Sequence, residues 1–90
     1  MRTFAVIGMS SFGYYVCRYL AERGFYVLAI DNDEAKINRV KEIVHKAVIA
    51  DATDKEALER LGLGDFDAVI VSLGDRIDAS ILVTLYLRQL

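Results

Sequence analysis

The sequence contains no proline, a single cysteine and a single histidine among 90 residues. The single cysteine, Cys17, permits no internal disulfide, and unpaired thiols are typical of the cytoplasm. It falls in a predicted helix with no histidine in the same motif, so we interpret it as a packed, inert thiol. The single histidine, His45, has no second histidine or cysteine nearby, so a surface histidine is favoured over a metal ligand. We therefore assign no metal ligand and no catalytic residue.

The chain also lacks a strong charge of one sign and a long apolar run. Eleven basic against 13 acidic residues give a net charge of −2, with the signs interleaved, so there is no basic surface for nucleic acid. The longest uncharged apolar stretch near the C-terminus, residues 79–87, is far shorter than the roughly 20 residues of a membrane-spanning helix. The N-terminus lacks the apolar region of a signal peptide. We expect a soluble, cytoplasmic domain that does not insert into a membrane.

The sequence does have a high hydrophobic fraction, 54%, distributed over regularly alternating segments. Short, apolar, β-rich runs predict four buried strands, at residues 3–7, 26–30, 47–50 and 67–73. Amphipathic segments predict four helices, at residues 12–23, from 33 onward, from 53 onward and at 75–90.

Local signals predict how these helices begin and end. Gly24 is placed where a helix C-terminus adopts the left-handed conformation. Asp33 is predicted to cap the second helix, and Thr53 with Glu56 has the spacing of a capping box for the third. The first helix is predicted to carry one apolar stripe formed by Phe12, Val16, Tyr19 and Leu20. The second is predicted to carry another, formed by Ile37, Val40, Ile43 and Val44.

The alternation of strands and helices predicts a parallel sheet with crossover helices. Right-handed crossovers and a reversal after the third strand give the order 3-2-1-4, a Rossmann-like, doubly wound α/β fold. No linker or internal repeat divides the chain, so residues 1–90 are interpreted as one domain. Since a complete doubly wound unit continues into further strands, we expect this chain to be a piece of a longer protein.

The turn after the first strand, VIGMSSFG at residues 6–13, resembles the G-x-G-x-x-G loop that holds a dinucleotide pyrophosphate. Gly8 permits a tight turn, and Gly13 lets the helix pack close to the strand. Ser10 replaces the middle glycine. Either its Cβ crowds the pyrophosphate, or its hydroxyl donates a hydrogen bond to a phosphate. A third interpretation is a structural turn that binds no ligand.

The other predicted strands also end in residues suited to a nucleotide. Asp31 follows the second strand 23 residues after Gly8, close to the position where an acid accepts the ribose hydroxyls and repels a 2′-phosphate. The alternative is an acid that caps a helix or faces solvent. Asp51, after the third strand, is equally consistent with a site residue and with support for the Thr53 cap. Residues 72–74, after the fourth strand, are placed to border a base or sugar.

Four segments in this order and spacing resemble the RCK or KTN (TrkA-N-like) domain: FAVIGxxxFG, VLAIDxDEAK, AVIADATD and DAVIVSLGD. Domains of this family are nucleotide-binding regulators of potassium channels and transporters, and the resemblance covers the front portion of the family's domain. It implies binding of NAD(H), ATP, ADP or AMP, and assembly as a homodimer or larger homo-oligomer. It also implies a membrane potassium channel or transporter subunit as partner, at the cytoplasmic face of the membrane.

By the resemblance, the cofactor-binding residues lie after all four strands. The glycine loop would hold the phosphates, and the segment that begins at Asp31 would hold the ribose. The segments after the third and fourth strands would line the adenine pocket. The residues so assigned are Gly8, Ser10, Ser11, Phe12, Gly13, Asp31, Asn32, Asp33, Asp51, Ala52, Leu73, Gly74 and Asp75. Family members that bind ATP tend to carry an arginine at the place of Ser11.

Ninety residues leave no room for the substrate domain of a dehydrogenase, so we favour a regulator that switches conformation on binding a nucleotide. The alternatives are the nucleotide-binding half of an NAD-dependent oxidoreductase and an interaction module that binds no ligand. From Ile77 to Leu90 the last helix is apolar over most of its circumference, and the fourth strand would be an open edge if no fifth strand follows. Both features predict self-association.

Overall fold

The computed structural model describes all residues, Met1–Leu90, and contains four strands and four α-helices. The strands are β1 (Thr3–Ile7), β2 (Tyr26–Asp31), β3 (Lys46–Ile49) and β4 (Ala68–Val71). The helices are α1 (Ser11–Glu22), α2 (Glu34–Val40), α3 (Lys55–Glu59) and α4 (Ile77–Gln89), with a 3₁₀ turn at Leu63–Asp65. All strands are parallel and follow the order β3-β2-β1-β4, which confirms the Rossmann-like fold.

The sheet separates two hydrophobic cores, because successive side chains of a strand point to opposite faces. One core lies under α3 and α4 and contains Ala5, Ile7, Leu28, Ile30, Leu58 and Val83. The other lies under α1 and α2 and contains Val6, Cys17, Val27, Ala29, Ile37 and Val40. Both faces of β1 and β2 are therefore covered, which explains why these strands read as continuous apolar runs.

The inward face of α1 differs from the predicted stripe. Gly13 and Cys17 are its buried residues, while Phe12 is 66% exposed and Tyr19 is 56% exposed. Val16 and Leu20 do pack against the core, as predicted. Including Phe12 and Tyr19 in the stripe was wrong, since the helix turns Gly13 and Cys17 toward the strand and leaves both aromatic rings outside.

The cap of α3 also differs from the prediction. Asp33 caps α2 as expected, but α3 is capped by Asp54, whose carboxylate accepts the N–H groups of Glu56 and Ala57. Thr53 is not the cap, because both its hydroxyl and its N–H donate to Asp51. Aspartate is a strong N-cap residue, so the cap shifts by one position.

Several further element boundaries differ from the predictions. β4 stops at Val71 rather than at residue 73, because the N–H of Ser72 donates to the last carbonyl of β1 and the chain then leaves the sheet. β3 begins and ends one residue earlier than expected, and α4 begins at Ile77 rather than at Asp75. α2 ends at Val40, although residues 43 and 44 still pack into the same core from the following turn.

The helix α4 buries only one side. Ala79 and Val83 are buried, and Tyr86 and Leu87 pack against the core of that face. Its other side, here called the α4 outer face, carries the exposed residues Ile77, Ile81, Leu82 and Leu85. No helix in the structure has the length and apolarity needed to cross a membrane.

The turn between β1 and α1 has no room for side chains at its two glycines. A Cβ on Gly13 would lie 2.1 Å from the carbonyl oxygen of Gly8. A Cβ on Gly8, whose φ is +97°, would lie 2.1 Å from the carbonyl oxygen of Ser72. Because both of these carbonyl oxygens belong to the backbone, they cannot move aside as a flexible side chain can. The two glycines therefore set the distance between α1, β1 and the end of β4.

We expect Gly13→Ala to lower the free energy of unfolding by about 1–3 kcal/mol, the usual cost of overpacking. Helix propensity alone predicts the opposite sign, since alanine is favoured over glycine by about 1 kcal/mol in a helix. Gly64→Ala is the control, because a Cβ there meets open space. Urea unfolding followed by circular dichroism compares the two. A Gly13→Ala chain as stable as the Gly64→Ala chain would contradict this account of the turn.

Candidate functional site

The carboxyl ends of all four strands border one cleft, here called the main cleft. Eight predicted site residues line it: Gly8, Ser10, Asp31, Asn32, Asp33, Asp51, Ala52 and Leu73. The cleft has a volume of about 150 Å³, below the roughly 300–1,000 Å³ of pockets that enclose a whole ligand. A nucleotide in it would therefore remain partly outside. The position matches the rule that ligands bind where the strand order of a doubly wound sheet reverses.

The other five predicted site residues do not line the main cleft. Ser11 and Phe12 are exposed in the first turn of α1, and Gly13 is buried against Gly8. Gly74 and Asp75 are exposed in the turn before α4, where Gly74 has a φ of +68°. Contact of any predicted site residue with a ligand stays a prediction.

The side chain of Ser10 makes hydrogen bonds within the protein. It is the N-cap of α1, and its Oγ accepts the N–H of Gly13 at 3.4 Å. The same oxygen lies 2.6 Å from Oγ of the buried Ser72 at the end of β4. A serine hydroxyl has one proton and two lone pairs, so these two contacts use much of its capacity. Ser10 thus joins the glycine loop to β4, a role that none of the sequence interpretations included.

Asp31 connects the loop after β1 to the turn after β2. Its Oδ2 accepts the N–H of Met9 at 2.7 Å, and its Oδ1 accepts the N–H of Asp33 at 2.8 Å. An ionised carboxylate has about four acceptor positions, so two bonds leave capacity for hydroxyl donors from a ligand. Asp31 therefore has a structural role, and it still presents acceptors to the main cleft.

Asp51 organises the turn between β3 and α3. Its Oδ1 accepts the hydroxyl of Thr53 at 2.6 Å and the N–H of the same residue at 2.9 Å. These two bonds, the hydroxyl first, lower the pKa of the Asp51 carboxyl, and the positive charge of Arg76 lowers it further. The group is therefore ionised at neutral pH, and its Oδ2 accepts no hydrogen bond from the protein.

Two cationic side chains that the sequence interpretation missed line the main cleft. Lys36 lies in the first turn of α2, and Arg76 immediately precedes α4. Their positions in the sequence could have identified both residues, because the first turns of helices that follow strands in this fold face the ligand edge of the sheet. The cleft therefore combines carboxylates, suited to sugar hydroxyls, with cations, suited to phosphate.

Comparison with known proteins shows extensive similarity. The model of a family described as the TrkA-N domain matches residues 4–90. The chain is 49% identical over 89 residues to the Ktr system potassium uptake protein C of Bacillus subtilis (strain 168). It is 44% identical over 89 residues to the Ktr system potassium uptake protein A of the same organism. Each match covers 99% of this chain, which spans only 40% of the length of either relative.

A similar solved structure is the NAD(P)-binding domain of an exopolyphosphatase-related protein from Archaeoglobus fulgidus. The match has a TM-score of 0.86 and 30% sequence identity. It covers 99% of this chain and 66% of that one. The arrangement of strands and helices is therefore shared over nearly the whole chain.

We expect Ser10→Ala to lower the free energy of unfolding by about 0.5–2 kcal/mol, the cost of losing an N-cap. The buried hydroxyl of Ser72 also loses its partner. Ser11→Ala is the matched control, since Ser11 is exposed and its side chain makes no hydrogen bond, so the change should stay within about 0.5 kcal/mol. Thermal unfolding gives the midpoint temperature of each of the two variants. Equal midpoints for the two variants would show that Ser10 does not hold the loop.

Proposed function

Because the chain belongs to the TrkA-N family, whose model matches it from residue 4 to residue 90, we propose that it is a nucleotide-binding regulatory domain of a potassium uptake system. Relatives that are 49% and 44% identical carry the name of Ktr potassium uptake proteins. The observation that carries the proposal is the position of Asp31 beside the glycine loop, in a cleft bordered by all four strand ends.

The ligand is proposed to be NAD(H) or an adenine nucleotide, namely ATP, ADP or AMP. Its ribose would donate hydroxyl hydrogen bonds to Asp31, and its phosphates would lie at the loop between Gly8 and Gly13. Asp51 and Ala52 on one side, with Leu73 on the other, would border the base. The similarity to a domain that is described as NAD(P)-binding supports this ligand class.

We assign no catalytic role to this chain. The Cys17 thiol is fully buried in a core, and burial raises its pKa to about 12, so the nucleophilic thiolate is scarce at neutral pH. His45 precedes β3 at the edge of the sheet, where it stacks on Tyr26 and accepts the N–H of Val27. Neither residue lines the main cleft, which supports binding and regulation rather than catalysis.

The switching mechanism is proposed to run through the hydrogen bonds of Asp31. This carboxylate holds the N–H of Met9 in the glycine loop, so a ribose that shares it changes the restraint on that loop. A ligand can shift a conformational equilibrium only by its differential affinity for the two states. The shift would be passed to a membrane potassium channel or transporter subunit at the cytoplasmic face of the membrane.

Self-association is proposed to use the α4 outer face. Its residue Ile77 is 70% exposed, and Ile81 and Leu85 are each more than half exposed. A symmetric homodimer, the commonest closed assembly, would cover this helix face in both copies at once.

The proposed site is tested by calorimetry with NADH, ATP, ADP and AMP. We expect binding of at least one ligand, and Asp31→Ala should weaken it by about tenfold or more, because hydrogen bonds to a charged group contribute about 1.5–3 kcal/mol. The variant also loses its bonds to Met9 and Asp33, so its folding must be verified by circular dichroism.

Asp65→Ala is the matched control, since Asp65 lies in the 3₁₀ turn outside the main cleft. It should leave the affinity unchanged. If the folded chain binds none of the four ligands, the proposed function is wrong. Equal affinities of the Asp31→Ala variant and the unsubstituted chain would exclude Asp31 from the site.

The proposed dimer is tested by light scattering at micromolar concentration. We expect at least twice the chain mass of 10.1 kDa, and Leu85→Glu should reduce it, because a buried unpaired charge opposes association. Tyr19→Glu is the control, since Tyr19 is similarly exposed but lies on α1, on the other side of the sheet. A monomer of 10.1 kDa for the unsubstituted chain would rule out this assembly.

A further inference from the structure

A second depression lies between α1 and α2 and is here called the α1–α2 groove. Its lining residues are Met9, Ser10, Ser11, Tyr14, Tyr15, Lys36 and Arg39. Its volume is about 230 Å³. Met9, Ser10 and Lys36 also line the main cleft, so the two depressions meet at the glycine loop. A ligand seated in the main cleft can therefore extend into the groove without crossing a helix.

The charge of the groove differs from that of the main cleft. Lys36 and Arg39 are its only charged lining residues, whereas the main cleft also contains Asp31, Asp33 and Asp51. The two salt bridges of the chain, Arg18–Glu22 and Arg60–Glu56, lie elsewhere, so neither groove cation is paired with a carboxylate. The groove is thus a cationic extension of a site whose centre is acidic.

Arg39 is held in place by an aromatic ring. Its guanidinium carbon lies 4.2 Å from the centre of the Tyr14 ring, a cation–π contact between α2 and α1. Stacking uses the face of the guanidinium and leaves its N–H groups, which lie in the plane, available to an anion. The hydroxyl of Ser11, which is exposed in the first turn of α1, adds a neutral donor at the same place.

We propose that the α1–α2 groove binds a distal phosphate of a nucleoside di- or triphosphate, with Arg39 and Lys36 as its ligands. This rests on the proposed function, since the ribose must lie at Asp31 for the phosphate chain to pass the glycine loop. A distal phosphate fits better than a 2′-phosphate, because the Asp31 carboxylate repels a second anion on the ribose itself. The groove thereby selects ADP or ATP over AMP.

The test is calorimetry on the full chain with AMP, ADP and ATP at constant ionic strength. We expect ADP or ATP to bind more tightly than AMP. Arg39→Gln should reduce that preference by about fivefold, as suits one partly exposed charge-assisted contact, while the affinity for AMP stays unchanged. Lys36→Gln is a second variant and should lower the same preference.

Arg23→Gln is the matched control, because the Arg23 guanidinium stacks on Tyr19 at 3.4 Å, in the same kind of contact but outside both depressions. It should leave the preference intact. The groove assignment is overturned if Arg39→Gln and Lys36→Gln both retain the original preference. It is also overturned if they reduce a preference for NADPH over NADH instead.

The outcomes separate this inference from the function on which it rests. If AMP binds but the preference for distal phosphates is absent, the groove assignment fails and the nucleotide site stands. If no nucleotide binds to the folded chain, both fail. Circular dichroism of each variant ensures that a lost preference reflects the missing cation rather than unfolding.

Discussion

The carbonyl oxygen of Gly8 occupies the space that a Cβ on Gly13 would need. This backbone contact determines how closely α1 approaches β1, and the rest of the ligand edge depends on it. With α1 so close, Cys17 is fully buried one turn further along, and the large ring of Phe12 is left outside. The same contact places the first turn of α1 at the carboxyl end of β1.

Two long-range hydrogen bonds then secure the loop that this contact creates. Asp31 accepts the N–H of Met9 from 22 residues further along the chain, and Ser10 meets Ser72 across 62 residues. The loop is therefore tied to β2 on one side and to β4 on the other before a ligand arrives. Such preorganisation lowers the entropy that binding must overcome. The same groups that stabilise the fold thus shape the main cleft.

Much of this fold could be predicted from the sequence because the signals are local. Continuous apolar runs identify β1 and β2, and the spacing of caps and glycines separates the helices, so the strand order follows from crossover handedness. The positions of Gly8 and Asp31 at strand ends could be inferred for the same reason. Phe12 and Tyr19 were misjudged because the stripe was assigned from the spacing of apolar residues alone. The close packing expected at Gly13 places Gly13 and Cys17 on the inward face instead.

The rest of the site could not be predicted because it arises from tertiary contacts. Nothing near Ser10 in the sequence indicates that its hydroxyl meets Ser72, and nothing near Asp31 indicates a bond to Met9. Lys36 and Arg39 appear as an ordinary exposed face of α2 until Tyr14 of α1 is placed beneath Arg39. In each case the partner comes from another element, so only the assembled sheet brings the pair together.

The structural role of Asp31 bears on the proposed regulation. A binding site that is separate from the restraints of the fold can fill without altering the protein around it. Here the carboxylate that would accept ribose hydroxyls also restrains Met9, and the next residue, Ser10, restrains Ser72 at the edge strand. A ligand that bonds to Asp31 would therefore share its acceptor with a bond of the glycine loop, and the loop is connected to β4, which precedes α4 and its exposed face. The main cleft and the α4 outer face are thus joined by hydrogen bonds and covalent connections. For the proposed regulation, these bonds would have to differ between two states of the domain that the ligand and the α4 outer face both bias.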